Sequence, residues 1–176
     1  MNILSSFKSI KLIAMDVDGV LTDGQLILFP NFDFSYGRNM NIKDGFAIQL
    51  AIKKGYHLMV ISGAQHDNAV ENRLKKLGLT DLHMGVSDKS AVLTKAIDKF
   101  GLQKSEVLFI GDDVPDISAL KTAGLACCPA DAVDDVKEIC SYISHIPGGM
   151  GCVRDVIEKV LRLNNHWDIH LEISAK

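Results

Sequence analysis

Two aspartates stand two positions apart in IAMDVDGVLTDG (residues 13–24), directly after an apolar run and just before a glycine. Paired carboxylates delivered to one point by a buried segment can hold a hard cation, attack an electrophilic centre or move a proton. The same signature returns further along: apolar runs end in Ser62-Gly63 and in Gly111-Asp112-Asp113, with Asp116 close behind and Lys89 near the start of a helical stretch. Taken singly, each has a plainer explanation. A lone DxDG is also a calcium loop or a turn, Lys89 a solvated helix residue, and Asp113 and Asp116 are charges that a helix N-terminus favours. Their joint meaning depends on whether the fold brings them together.

The elements that would do so are legible as periodicity. Apolar runs of strand length span Ile10 to Val17, Tyr56 to Ser62, Val107 to Gly111 and Leu125 to Cys128, each followed by a segment with helical spacing. This alternation predicts an α/β domain on a parallel sheet, and the continuous rather than alternating polarity of the strands predicts helices on both faces. Helices are expected over 44–54, 66–77, 88–100 and 113–123, each with a glycine stop, and over 132–139 and 151–163. Two segments break the pattern: 25–42 reads as a β-hairpin turning at Pro30-Asn31, and 163–176 as a polar tail carrying the only tryptophan, Trp167. Neither is long enough for a second domain, so one domain is expected over residues 1–176.

In an open α/β sheet, ligands gather outside the carboxyl ends of the strands. Asp16, Asp18, Ser62, Gly63, Asp112, Asp113 and Asp116 should therefore meet at one edge, with Lys89 in reach. Clustered carboxylates repel one another unless a cation sits among them, and an all-oxygen donor set points to Mg²⁺ beside a phosphate. In that chemistry Asp16 is the candidate nucleophile, forming an aspartyl-phosphate, and Asp18 the acid that protonates the leaving oxygen and then activates water.

DVDGVLTDG, the strand-end Ser62, Lys89 and GDDVPD together resemble the four motifs of the haloacid dehalogenase superfamily of phosphohydrolases. GVLTDG, NIKDGFAIQLA, the GDD segment and GGMGCVRDV extend the resemblance over nearly the whole chain, to the small 3-deoxy-D-manno-octulosonate 8-phosphate phosphatases. The resemblance implies a Rossmann-type fold in which Asp16, the backbone carbonyl of Asp18, and Asp112 hold Mg²⁺. Ser62 and Lys89 would bind the phosphoryl group, Asp113 and Asp116 would support them, and Gly63, Asn41, Asp44, Gly45, Arg73 and Lys76 would contact the substrate.

Many members insert a cap domain, but here the first gap holds only the hairpin, and the 26 residues between Ser62 and Lys89 are used up by one helix and one short strand. The chain thus resembles capless relatives, which assemble as homotetramers whose neighbours close the pocket; the hairpin and the tail around Trp167 are the candidate contacts. It departs from the pattern after Gly63, where Ala64-Gln65 replaces the usual arginine. Arg73, with Lys76 one helical turn on, is the candidate receptor for the sugar carboxylate, and a nine-carbon ulosonic acid 9-phosphate competes as substrate.

A response-regulator receiver also clusters Asp and Lys at strand ends, but its acid pair is adjacent and its phosphorylated Asp ends a later strand. A non-catalytic relative would lack the nucleophile or the lysine, and both are present. A net charge of −3 with scattered lysines gives no footprint for nucleic acid. No apolar run approaches the roughly 20 residues of a membrane span, and MNILSSFKSIK lacks a signal-peptide pattern, so a cytoplasmic protein with no membrane partner is expected. Cys127, Cys128, Cys140 and Cys152 lack metal-site spacing and read as small buried hydrophobes. The histidines show no metal spacing either, although His66 follows Ser62-Gly63 closely. GGMG at 148–151 is either a plain loop or a flexible lip over the site with Arg154 nearby.

Overall fold

The architecture comes from a computed structural model that describes residues 3–28, 36–65 and 67–170. Its centre is β1 (Leu12–Met15), flanked by β4 (His57–Ile61) on one side and β6 (Val107–Ile110) on the other, all parallel. With β5 (Asp81–His83), β7 (Leu125–Cys128) and β8 (Tyr142–Ile143) they form a six-stranded parallel sheet in the order β5-β4-β1-β6-β7-β8. The chain leaves β1 toward β4 and later returns to its other side for β6, so the order reverses at β1. In this topology that reversal opens a crevice at the strand's carboxyl end, where DVD lies.

Alternation along the strands builds two cores. Ile13 and Met15 face α1 (Ile3–Ser9), α2 (Ile42–Lys53), α3 (Asn68–Lys76) and α7 (Cys152–Leu163), whereas Leu12 and Ala14 face α4 (Lys89–Phe100), α5 (Ile117–Thr122) and α6 (Asp134–Lys137). All four residues of β1 are fully buried. At about 1.5–3 kcal/mol per large buried apolar side chain, these layers carry the stability that the polar edge spends. Adjacent Cys127 and Cys128 point into opposite cores, and the four cysteines are free, as small hydrophobes would be.

Several boundaries differ from the periodicity reading. Helix α2 begins at Ile42 rather than 44 because the Asn41 side chain accepts the Lys43 N–H. Asp67 does the same for Ala69 and Val70, so α3 starts at Asn68, and His66 lies outside the described residues. The expected helix over 113–123 is split: Val114–Asp116 is a 3₁₀ turn before α5, drawn tight by the Asp116 carboxylate accepting from the N–H groups of Asp112 and Asp113. The 132–139 helix shrinks to the single turn of α6. Helix α1 and strand β8 have too few residues to show a period.

The expected hairpin is present as β2 (Ile27–Leu28) against β3 (Tyr36–Gly37), antiparallel, with its return strand bridged at Thr22 and Met40; the turn at Pro30-Asn31 lies outside the described residues. Ile42, assigned to it from sequence, belongs to α2. The tail is described as far as residue 170. Trp167 packs on its own chain, edge to face with Phe46 at 5.5 Å and with the guanidinium groups of Arg154 and Arg162 at 5.3 and 5.2 Å from its ring. Among the described residues, no helix is long and apolar enough to cross a membrane.

Candidate active site

The carboxyl ends of β1, β4 and β6 open into a cavity of about 290 Å³ lined by Asp16, Asp18, Ser62, Lys89, Asp112 and Asp116, among others. Asp16, Ser62 and Asp112 are placed by the strands they follow. Asp16 follows β1 and donates its N–H to Ile110 O at 3.0 Å, so the ladder holds the backbone up to the carboxylate itself. Ser62 follows β4 and is tied on both sides, its N–H to His83 O at 2.8 Å and its carbonyl to Val86 N at 2.9 Å. Asp112 follows β6, separated from it by Gly111, where any Cβ would fall 2.5 Å from Asp116 Cβ.

Lys89 is the pivot. Its side chain is only 4% exposed, and the ammonium lies 2.6 Å from Asp116 Oδ1 and 3.0 Å from Asp16 Oδ2. Burial works against the charge, but the Asp16 and Asp116 carboxylates more than restore it, and the Lys89 pKa is raised. The other Asp116 oxygen accepts from Asp112 N at 3.0 Å, so one buried carboxylate positions both the lysine and the GDD loop. Ser62 Oγ accepts the Ala64 N–H at 3.2 Å, which leaves the hydroxyl proton for another acceptor.

One cation does not neutralise this group. Oxygens of Asp16, Asp112 and Asp116 lie within 4.8 Å of one another, and Asp16 Oδ1 and Asp112 Oδ1 are buried without a hydrogen-bond partner. Burial, then the Asp116 charge, raise the Asp16 pKa from 3.8 to about 6 despite Lys89. Burial, then the charges of Asp116, Asp16 and Asp113, push Asp112 up to about 8. Orphaned carboxylate oxygens converging on one point fit a hard divalent cation, which removes both the repulsion and the unmet desolvation cost. Gly19, at φ +80, makes room for the cluster: a Cβ there would sit 2.0 Å from Asp112 Oδ2.

The substrate contacts expected from the resemblance divide. Gly63 lines the cavity, as do Ala64 and Gly24. Asn41, Asp44, Gly45, Arg73 and Lys76 do not line it within this chain. Asn41 is spent on its helix cap. Asp44 is 2% exposed, and its Oδ1 accepts the Arg154 N–H at 2.7 Å, clamping α2 to the first turn of α7. Gly45 is a packing glycine, since a Cβ would meet Leu77 at 3.0 Å and Arg73 Nη2 at 3.4 Å. Arg73 is half-buried beside it, and Lys76 is exposed. Asp113 also lines the cavity, and its Oδ1 accepts the Val114 N–H at 2.7 Å.

GGMG is a turn leading into α7, as the plain-loop reading has it, and it is held in place. Gly149 donates its N–H to Val20 O at 3.0 Å, and a Cβ on Gly148 would fall 1.9 Å from Gly19 O, so the segment is wedged against the loop that carries DVD. Arg154 faces Phe46 and Trp167 rather than the cavity. The residue that sequence reasoning missed is Arg38, whose guanidinium grips Asp18. It is the one cation in the hairpin 25–42, an insert lying against an acidic edge, and that was the available signal.

A family model described as haloacid dehalogenase-like hydrolase matches residues 41–124. The 3-deoxy-D-manno-octulosonate 8-phosphate phosphatase of Salmonella typhi is 30% identical over 167 residues, which cover 95% of this chain and 87% of that protein. The Moraxella catarrhalis phosphatase of the same name, solved with magnesium, phosphate and KDO, superposes with a TM-score of 0.87 at 34% identity, over 93% of this chain and 92% of its own. The cobalt-bound Haemophilus influenzae protein gives a TM-score of 0.83 at 27% identity, over 91% of this chain and 92% of its own. With the motif side chains converging at one sheet edge and relatives of this identity matching nearly end to end, the chain belongs to the haloacid dehalogenase-like hydrolases, in the 3-deoxy-D-manno-octulosonate 8-phosphate phosphatase family, and is a phosphoric monoester hydrolase.

Proposed function

We propose that this enzyme hydrolyses 3-deoxy-D-manno-octulosonate 8-phosphate to the free sugar acid and phosphate, with Mg²⁺ as cofactor and an aspartyl-phosphate on Asp16. The observation that carries the mechanism is the pair of buried, unpartnered oxygens on Asp16 and Asp112 beside the Lys89–Asp16 contact of 3.0 Å. Asp16, Asp112 and the backbone carbonyl of Asp18 would hold the ion. When bound, Mg²⁺ offsets the charge of the carboxylates and of the phosphoryl oxygens.

The chain's own residues do the rest. Asp16 is fixed by the sheet on one side and Lys89 on the other, so its carboxylate meets phosphorus without reorganising. Lys89 and the Ser62 hydroxyl neutralise and orient the phosphoryl oxygens as charge redistributes. As the Asp16 O–P bond forms and the ester P–O bond breaks, Asp18 gives its proton to the departing sugar oxygen. Asp18 is then a carboxylate and takes a proton from the water that attacks the phospho-Asp16, releasing phosphate and restoring Asp16.

The pocket of a single chain is open. Leu26, Ile27, Leu28 and Ile42 stand 55%, 43%, 74% and 80% exposed on the hairpin and the α2 start. Burying these residues against other copies supports a homotetramer in which neighbours complete the substrate walls. The nine-carbon ulosonic acid 9-phosphate is a second reading, favoured by Ala64-Gln65 standing where an arginine would meet the shorter sugar acid. A panel of sugar phosphates assayed with and without Mg²⁺ tests both. Fastest turnover is expected on the eight-carbon substrate, a preference for the nine-carbon one would select the second reading, and undiminished turnover in excess EDTA would overturn the metal assignment. Arg73→Ala should weaken acidic sugar phosphates more than neutral ones, since a charge-assisted bond is worth about 1.5–3 kcal/mol.

A further inference from the structure

Asp18 lines the cavity and takes its ionic partner from the hairpin. Arg38 follows β3 directly and holds Asp18 as a fork: Nε donates to Oδ1 at 2.6 Å and Nη2 to Oδ2 at 3.2 Å. Its remaining arm, Nη1, donates to Asp67 Oδ2 at 2.6 Å. Thr22 Oγ1 completes the setting, 3.3 Å from Asp18 Oδ1. The Arg38 side chain is 8% exposed, whereas Asp18 stays 40% exposed on the cavity side. A planar guanidinium sunk this far and shared between two carboxylates is committed to one geometry.

The frame around it is equally set. Gly37 pairs with Ile27, Met40 bridges Thr22, and Thr22 N–H returns to Val17 O at 2.9 Å, so the backbone on both sides of Arg38 is tied to the loop that carries Asp18. Asp67, at the other end, caps α3 through Oδ1. Arg38 therefore locks three pieces together: the hairpin, the loop after β1 and the start of the helix that follows Ser62.

We propose that Arg38 is the positioning residue of Asp18, and that its fork seats the Asp18 carboxylate whenever it is ionised, the interval between the two half-reactions included. The inference rests on the proposed two-step mechanism. After the first step the sugar oxygen has carried away the Asp18 proton, and the enzyme holds phospho-Asp16 with Asp18 ionised. The fork accepts that ionised group by both oxygens and keeps it at the cavity wall until water arrives. Water then adds to phosphorus, its proton passes to Asp18, and the Asp16–phosphate bond breaks. Without the fork the carboxylate swings, and misplacement of this kind costs about 10²-fold. The second half-reaction should suffer more than the first. The hairpin is thus part of the catalytic frame as well as a wall.

The test is pre-steady-state and steady-state hydrolysis of p-nitrophenyl phosphate with saturating Mg²⁺, using wild type, Arg38→Ala, Arg38→Lys and Asp16→Asn. Nitrophenolate needs little protonation to leave, so the first step reports on Asp16 and the phosphoryl site alone. For Arg38→Ala, kcat should fall about 10- to 100-fold and KM should fall with it, leaving kcat/KM within about threefold of wild type. A burst of nitrophenolate equal to the enzyme concentration should precede the slow phase. Arg38→Lys, which keeps the charge and loses the fork, should lie between. A fall in kcat/KM as large as that in kcat, with no burst, would show that Arg38 only builds the pocket, and failure of both Arg38 variants to fold would assign it to the scaffold; either overturns the proposal. Asp16→Asn separates the two layers of reasoning. Turnover by that variant would remove the two-step mechanism and this inference with it, whereas a dead Asp16→Asn beside a burst-free Arg38→Ala removes this inference alone.

Discussion

Binding of Mg²⁺ should expel a countable number of protons, and that number follows from the crowding of carboxylates. In the metal-free protein, burial and neighbouring charges raise Asp16 to about 6 and Asp112 to about 8. At pH 7, Asp112 is then about 0.9 protonated and Asp16 about 0.1. Both must be ionised to ligate, so about one proton leaves per ion bound. At pH 9 the figure falls to about 0.1, and near pH 5 it approaches two. The apparent dissociation constant should therefore tighten about tenfold per pH unit between 6 and 8, and flatten above. Isothermal titration of Mg²⁺ into EDTA-treated, dialysed enzyme, in buffers of different ionisation enthalpy, reads the proton count as a slope. Stability follows the same linkage. Folded-state values raised above 3.8 mean that the metal-free fold is favoured by protonation, an advantage present below about 3.8 and lost as pH rises through about 6 and then about 8; saturating Mg²⁺ should remove that loss. A slope near zero at pH 7, or the same slope at pH 7 and 9, would refute the view that these carboxylates wait protonated for a cation.

Asp18→Asn should keep Mg²⁺ and phosphate binding, because its expected metal contact is a backbone carbonyl, and should lose about 10²- to 10⁴-fold in turnover of sugar phosphates; unchanged turnover would end its role as acid and base. Gly19→Ala forces a Cβ to within 2.0 Å of Asp112 Oδ2 at φ +80, so Mg²⁺ affinity should drop at least about tenfold while the far-ultraviolet spectrum is kept; calorimetry showing native affinity would contradict the packing. Asp44 is 2% exposed, and burial raises its pKa from 3.8 to about 6, against the weaker pull of the Arg154 N–H and guanidinium. Its contribution to stability is full below about 3.8 and declines by about 3 kcal/mol as pH rises through about 6. Asp44→Asn should flatten that decline in urea unfolding with excess Mg²⁺, and an unchanged pH slope would show that the group ionises freely.

The sequence by itself determined the parallel sheet, the helices on both faces and the meeting of Asp16, Asp18, Ser62, Lys89 and Asp112 at one edge. It could do so because apolar strands long enough to be buried announce themselves locally, and because parallel topology forces whatever follows each strand to the same side. What it left undecided lies in contacts whose partners are remote. Asp44 and Gly45 carry family-like identity in NIKDG, yet one clamps α7 and the other admits Leu77 and Arg73, contacts that no local pattern encodes. Trp167 meets Phe46 edge to face, because the return of the chain after α7 places it over α2. Arg38 shows the limit most plainly. It lies 20 positions from Asp18 and 29 from Asp67, and only the folding of the hairpin across the end of β1 brings one guanidinium between the two carboxylates. Periodicity reports which face of an element is apolar; which distant side chain meets a given carboxylate is decided by how elements cross, and that exists only in the tertiary structure.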